Sequence, residues 1–127
     1  ATIDHCFSAA SVEDIMARLE ADAAPFAKDA LAQMRAKSPT ALKVTLELLR
    51  RARKLASLEA SLEQEFDAIM HAKAEPDGTE GIRAAVIDKD RNPKWAPASL
   101  AEVNAARLAP YFKKQPARKP IPFHVSR

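Results

Sequence analysis

The sequence predicts an all-α fold of about six helices, and three observations carry that prediction. Alanine is the commonest residue, β-branched residues are sparse, and no segment alternates apolar and polar side chains as a half-buried strand would. Apolar residues instead recur at spacings of three and four. Serines and prolines (Ser11, Pro25, Ser38-Pro39, Ser57, Ser99) stand where helix N-termini need a side-chain acceptor or a preset φ.

Ser11, with Asp14 behind it, opens a short helix whose stripe is Val12, Ile15, Met16 and Leu19. Pro25 starts a second helix to about Ala36, with Phe26, Ala30, Leu31 and Met34 expected inward. Ser38-Pro39-Thr40 opens the third, which runs through Leu42, Leu46 and Leu49 to about Lys54. Lys43 with Glu47, and Glu47 with Arg51, stand at the i,i+4 spacing that steadies a helix. Ser57 caps a fourth helix to about Lys73, where Leu58, Leu62, Phe66, Ile69 and Met70 form the cleanest helical period in the chain; that stripe is expected to be core. Asp77-Gly78-Thr79-Glu80 has the form of a turn with a capping box ahead of a fifth, short helix from Gly81 to about Ile87. Residues 88–97 hold two prolines, Asn92 and Trp95 and predict an ordered loop. Ser99-x-x-Glu102 is a second capping box, opening a last helix with Leu100, Val103 and Leu108.

The 127 residues suffice for one ordinary domain. The formal charge of +3 is uneven: residues 113–127 carry five bases and no acid, while residues 1–112 carry 15 bases against 17 acids. The expected division is therefore a helical region over 1–112 and a basic, Pro-containing tail over 113–127. A slightly acidic body argues against nucleic-acid binding, which would place basic charge on a folded face. No apolar run is long enough to cross a membrane. One cysteine allows no internal disulfide, and neither a basic start nor an apolar stretch marks the N-terminus, so a cytoplasmic home is expected.

Two glycines, Gly78 and Gly81, cannot build a glycine-rich phosphate loop. Asp4-His5-Cys6 contains nucleophile ingredients, but neighbours in sequence point apart and triads assemble in space, so a surface turn with a half-buried Cys6 is expected. His71 and His124 have no second ligand at helical spacing, so no metal is expected. Arg50, Arg51, Arg53 and Lys54 fall in the last turn of the third helix, where cations complement the helix dipole. No catalytic constellation is assembled. The one segment with binding character is 80–95, where Arg83, Lys89, Arg91 and Lys94 mix with Glu80, Asp88 and Asp90 around Trp95. Lys89, Arg91 and Lys94 are candidate phosphate contacts, with Trp95 offering a flat face to a purine.

The run Ser38-Pro39-Thr40-Ala41-Leu42-Lys43-Val44-Thr45, then Glu65-Phe66, then Glu80-Gly81-Ile82-Arg83-Ala84 and Ile87-Asp88-Lys89-Asp90-x-Asn92-Pro93-Lys94-Trp95, resembles the C-terminal part of the 3-hydroxyisobutyryl-CoA hydrolases of the crotonase (enoyl-CoA hydratase/isomerase) superfamily. Ile3-x-x-Cys6-Phe7-Ser8 and Val12-Glu13-x-Ile15 extend the resemblance over residues 1–112. It implies the helical region of a thioesterase of valine breakdown, without the βαβ spiral core that supplies the oxyanion hole and the acid that activates water, and therefore inert by itself. It also implies a region that closes over the CoA groove and supports contacts between copies, with coenzyme A entering as part of the substrate and no other cofactor. Lys89 falls near the lysine of the superfamily's C-terminal E-G-x-x-A-F-x-E-K-R pattern, whose closing arginine stands here as Asp90. An enoyl-CoA hydratase/isomerase, or a non-enzymatic helical interaction module that binds a partner through exposed helix faces or an acidic surface through its tail, are the alternative readings. Helices that normally pack on a sheet core would also leave an apolar face open to self-association.

Overall fold

The computed structural model describes residues 1–115, and among them helices are joined by loops with no strand. The described residues form seven α-helices: α1 (Thr2–Phe7), α2 (Val12–Ala21), α3 (Pro25–Arg35), α4 (Pro39–Ala52), α5 (Leu58–Ala74), α6 (Pro76–Ile82) and α7 (Ala105–Leu108). One turn of π-helix (Arg83–Ile87) prolongs α6, and 3₁₀ turns at Leu100–Glu102 and Ala109–Phe112 flank α7. Residues 113–115 follow, with the amide of Gln115 donating to Asp67 Oδ1 at 3.3 Å; the remainder of the expected tail lies outside the described residues.

The capping serines act as their positions predict. Ser11, Ser38 and Ser57 each accept a hydrogen bond three residues on, from the amides of Asp14, Ala41 and Ala60. The Ser99–Glu102 box also forms, but it closes only a 3₁₀ turn, and Asn104 caps the α-helix that follows. Asp77-Gly78-Thr79-Glu80 is not a turn: Pro76 sits at the helix N-terminus and the four residues lie inside α6. The chain can turn into α6 so closely because Gly78 has no Cβ, which would stand 2.5 Å from the Ala72 carbonyl oxygen.

The core lies where α1, α2 and α3 meet. Cys6, Ala9, Ile15, Leu19, Ala27 and Leu31 are buried there, with Met16, Met34 and Leu46 packed against them. Asp4-His5-Cys6 is thus a helical segment, and Cys6 is fully buried rather than half-buried. Lys43 does not pair with Glu47; its ammonium spans from Glu13 Oε1 at 2.6 Å to the Val103 carbonyl at 3.1 Å, joining α2, α4 and the loop before α7. Glu47 does pair with Arg51 at 2.7 Å, and Arg51 also lies over the Phe112 ring, 4.1 Å from its centroid. Arg50 reaches the carbonyls of Ala9 and Ala10, so it clamps the α1–α2 corner beyond any service to the helix dipole. Arg107 fastens the C-terminal turns to Glu75 and to the Ala96 carbonyl.

The long stripe of α5 is not core. Leu58 is 71% exposed and Ile69 59%, with Leu62, Phe66 and Met70 exposed as well; Asp67 and Ala68 are the buried residues of that helix. Phe26 and Leu49 are likewise exposed. Helical period identifies an apolar face; burial depends on whether another layer lies against it, and among the described residues none does.

Candidate functional site

Two features face solvent on the flank built by α4, α5 and α6. The first is an apolar groove of about 640 Å³, lined by Phe7, Leu42, Thr45, Leu49, Ile69 and Trp95 among others. The second is the loop that follows the π-turn. Trp95 touches both.

The loop is organised by Arg83. Its Nε and Nη2 meet the two carboxylate oxygens of Glu80 at 2.9 and 2.8 Å, and its Nη1 meets Asp88 Oδ2 at 2.7 Å and Asp90 Oδ2 at 2.8 Å. Nη2 also donates to the Asn92 carbonyl at 3.3 Å. The planar five-donor fork of arginine suits such a multidentate role. Glu80 additionally accepts the Lys94 amide at 2.6 Å. These bonds, Arg83 first and the Lys94 amide second, hold the Glu80 carboxyl at about 2, far below its ordinary 4.5. Asp90 is lowered in the same way, by Arg83 and then by the Asn92 amide, while the guanidinium is pushed up by Glu80, Asp90 and Asp88.

The expected contacts share this loop but not one environment. Lys89 and Arg91 both adopt left-handed backbone, with φ of 58° and 54°, and are exposed; among the described residues neither side chain meets a partner. Lys94 is exposed with its ammonium 3.3 Å from Asn92 Oδ1. Trp95 turns toward the body: its Nε1–H donates to the Ala36 carbonyl at 3.2 Å, and its ring lies on Gly81, where an added Cβ would stand 3.4 Å away. Sequence reasoning counted Arg83 among four bases and missed that it is the centre; an acid three residues before it and two acids shortly after were the available signal. Asp77 was also missed. It accepts from Ser38 Oγ at 2.5 Å and from the Ala96 amide at 2.8 Å, holding α4 and the Trp95 loop against α6.

His71 lies edge-on to Tyr111 and 3.4 Å from Glu75. Among the described residues, no group of three or more His, Cys, Asp or Glu is placed to hold a metal ion.

Residues 1–112 match the family model described as enoyl-CoA hydratase/isomerase. The chain belongs to this family. It is 36% identical over 122 residues to the mitochondrial 3-hydroxyisobutyryl-CoA hydrolase of Dictyostelium discoideum, which covers 95% of the chain and 32% of that protein. The human mitochondrial protein of the same name is 40% identical over 111 residues, covering 87% of the chain and 28% of the relative. Among solved structures, a carnitinyl-CoA dehydratase from Mycobacterium thermoresistibile superposes with a TM-score of 0.84 at 44% identity, over 91% of this chain and 33% of that one. An enoyl-CoA hydratase from Rhodobacter sphaeroides gives 0.79 at 40% identity, over 87% and 32%. The chain thus spans about a third of the length of the relatives it matches. The resemblance read from the sequence is to the right family, and the all-α fold is that of a sheet-free stretch among its described residues. No helix among them is long and apolar enough to cross a membrane.

Proposed function

We propose that this chain is the CoA-side helical region of a 3-hydroxyisobutyryl-CoA hydrolase, a thioesterase of valine breakdown, and that the groups which cleave the thioester belong to the rest of that protein. The observation that carries this reading is the open apolar flank, an α5 stripe and a groove of about 640 Å³, adjoining a loop whose Lys89 and Arg91 cations are unpaired among the described residues. An apolar surface of this kind suits a further protein layer, and unpaired cations suit an anionic ligand. Thioester hydrolysis needs donors aimed at the developing oxyanion and a base within reach of water. Cys6 is fully buried and Asp4 and His5 lie beside it on α1, an arrangement without nucleophile access.

In this reading residues 1–112 form the working helical region and 113–127 an appended tail. Lys89, Arg91 and Lys94 meet the phosphates of the substrate's CoA moiety, with Trp95 close to its nucleotide. The helical flank also supports contacts between copies, and no cofactor is needed beyond the coenzyme A of the substrate. The cytoplasmic home expected from the single cysteine stands against the relatives, which include mitochondrial proteins. A buried free Cys6 fits a reducing interior in either compartment.

A second reading, hydration of an enoyl-CoA, is favoured by the likeness to the Rhodobacter sphaeroides enoyl-CoA hydratase. The complete protein separates them. Incubated with 3-hydroxyisobutyryl-CoA it is expected to release free thiol, and incubated with an enoyl-CoA it is expected to leave the double bond intact; the reverse pattern would replace hydrolase with hydratase.

A further inference from the structure

Lysine and arginine gain nothing locally from left-handed backbone, which side chains with a Cβ avoid and which glycine or asparagine adopt more readily. Yet Lys89 and Arg91 both hold it, on either side of Asp90. Asp90 explains how: one of its oxygens binds Arg83 Nη1 and the other accepts the Asn92 amide at 2.9 Å, so the loop is folded back onto the end of the π-turn. The backbone contributes as well, with the Arg91 amide donating to the Ala84 carbonyl at 3.0 Å. Every acid of the segment (Glu80, Asp88, Asp90) is bound to the one guanidinium. The two cations carried on the folded loop are left with no neutralising neighbour among the described residues.

We propose that Arg83 is a positioning residue: by gathering Glu80, Asp88, Asp90 and the Asn92 carbonyl it holds Lys89 and Arg91 in the left-handed turn that presents them to the phosphate groups of a coenzyme A thioester. This rests on the reading of the chain as part of a CoA-thioester enzyme. Arg83 itself touches no ligand, and its role cannot pass to lysine, whose single ammonium lacks the fork that meets these acceptors at once. The pairing is one of phosphate with fixed cations, so the affinity it supplies belongs to the nucleotide end of the ligand and not to its pantetheine arm.

The test is calorimetric binding of coenzyme A and of pantetheine, which lacks the nucleotide phosphates, to the complete protein and to four variants. Arg83→Gln, Arg83→Lys and the double variant Lys89→Ala/Arg91→Ala are each expected to weaken coenzyme A by about tenfold, the scale of one charge-assisted contact or two, and to leave pantetheine unchanged. Combining Arg83→Gln with the double variant is expected to weaken coenzyme A no further, because groups that act as one unit are not additive. Should Arg83→Gln fail to fold, Arg83→Lys and the double variant still read the effect. Equal weakening of pantetheine, full additivity, or unchanged affinity for coenzyme A would each overturn the proposal. A wild-type protein that hydrolyses the thioester while its variants bind coenzyme A normally defeats this inference alone. One that binds coenzyme A through these residues yet hydrolyses nothing defeats the proposed activity alone.

Discussion

The corner made by α1, α2 and α3 and the flank made by α5 and the π-turn are both rich in apolar side chains, but the corner buries a cluster of them whereas the large ones of the flank stay exposed. Leu19 is 1% exposed and Cys6 0%, whereas Leu58 is 71%, Ile87 68% and Val86 63% exposed. The corner is closed by its own helices. The flank is held in shape by polar devices instead: Arg107 on Glu75, Asp77 on Ser38 and the Ala96 amide, and Arg83 on three carboxylates. Polar fastening fixes the flank's shape and leaves its large apolar side chains exposed.

The largest expected effect breaks the comparison directly. Leu19→Ala empties a closed core and is expected to cost ~3 kcal/mol in urea unfolding of the 127-residue chain. Leu58→Ala in the same chain is expected to fall within ~0.5 kcal/mol, as surface changes do. In the complete protein Leu58→Ala should rise to ~2 kcal/mol if the flank is covered there. A Leu58 effect as small in the complete protein as in the chain would mean that the flank stays open.

Next in size is Gly78→Ala, which drives a Cβ to 2.5 Å from the Ala72 carbonyl oxygen. Separating the α5–α6 junction to relieve it is expected to cost ~2 kcal/mol, again by urea unfolding. Gly81→Ala, facing only the Trp95 ring at 3.4 Å, is expected to cost clearly less.

The smallest effect concerns pH. Glu80 titrates at about 2 when folded against an ordinary 4.5. A carboxyl with a depressed folded value stabilises fully above its unfolded value and loses that contribution as pH falls through the folded one. The loop should therefore stay closed down to about pH 4 and open as pH approaches the Glu80 value of about 2, read by fluorescence of Trp95 on its Gly81 seat. Arg83→Gln is expected to move this transition up toward 4.5. A transition already centred near 4.5 in the unaltered protein would contradict the Arg83–Glu80 geometry.

What the sequence made legible was local. Ser11, Ser38 and Ser57 mark true helix starts because a cap is a bond between residues three apart. Helix α1 was not legible, since six residues with no side-chain cap have no period to show. The α5 stripe was legible as apolar and misread as core, because periodicity cannot say what lies opposite it. The site was legible as the composition of residues 80–95, but its centre was not. Arg83 becomes the hub only when the loop folds back to bring Asp88 and Asp90 to one nitrogen, five and seven residues on. That folding depends on left-handed backbone at Lys89 and Arg91, which nothing in their side chains announces.

The central claim, that these helices complete a CoA-thioester hydrolase whose catalytic groups lie elsewhere in the protein, is tested most directly by one paired rate measurement. Release of free thiol from 3-hydroxyisobutyryl-CoA is followed with the 127-residue chain alone and with the complete protein at equal concentration. The account predicts a rate no greater than buffer for the chain and rapid turnover for the complete protein. Turnover by the chain alone, or none by the complete protein, would contradict it.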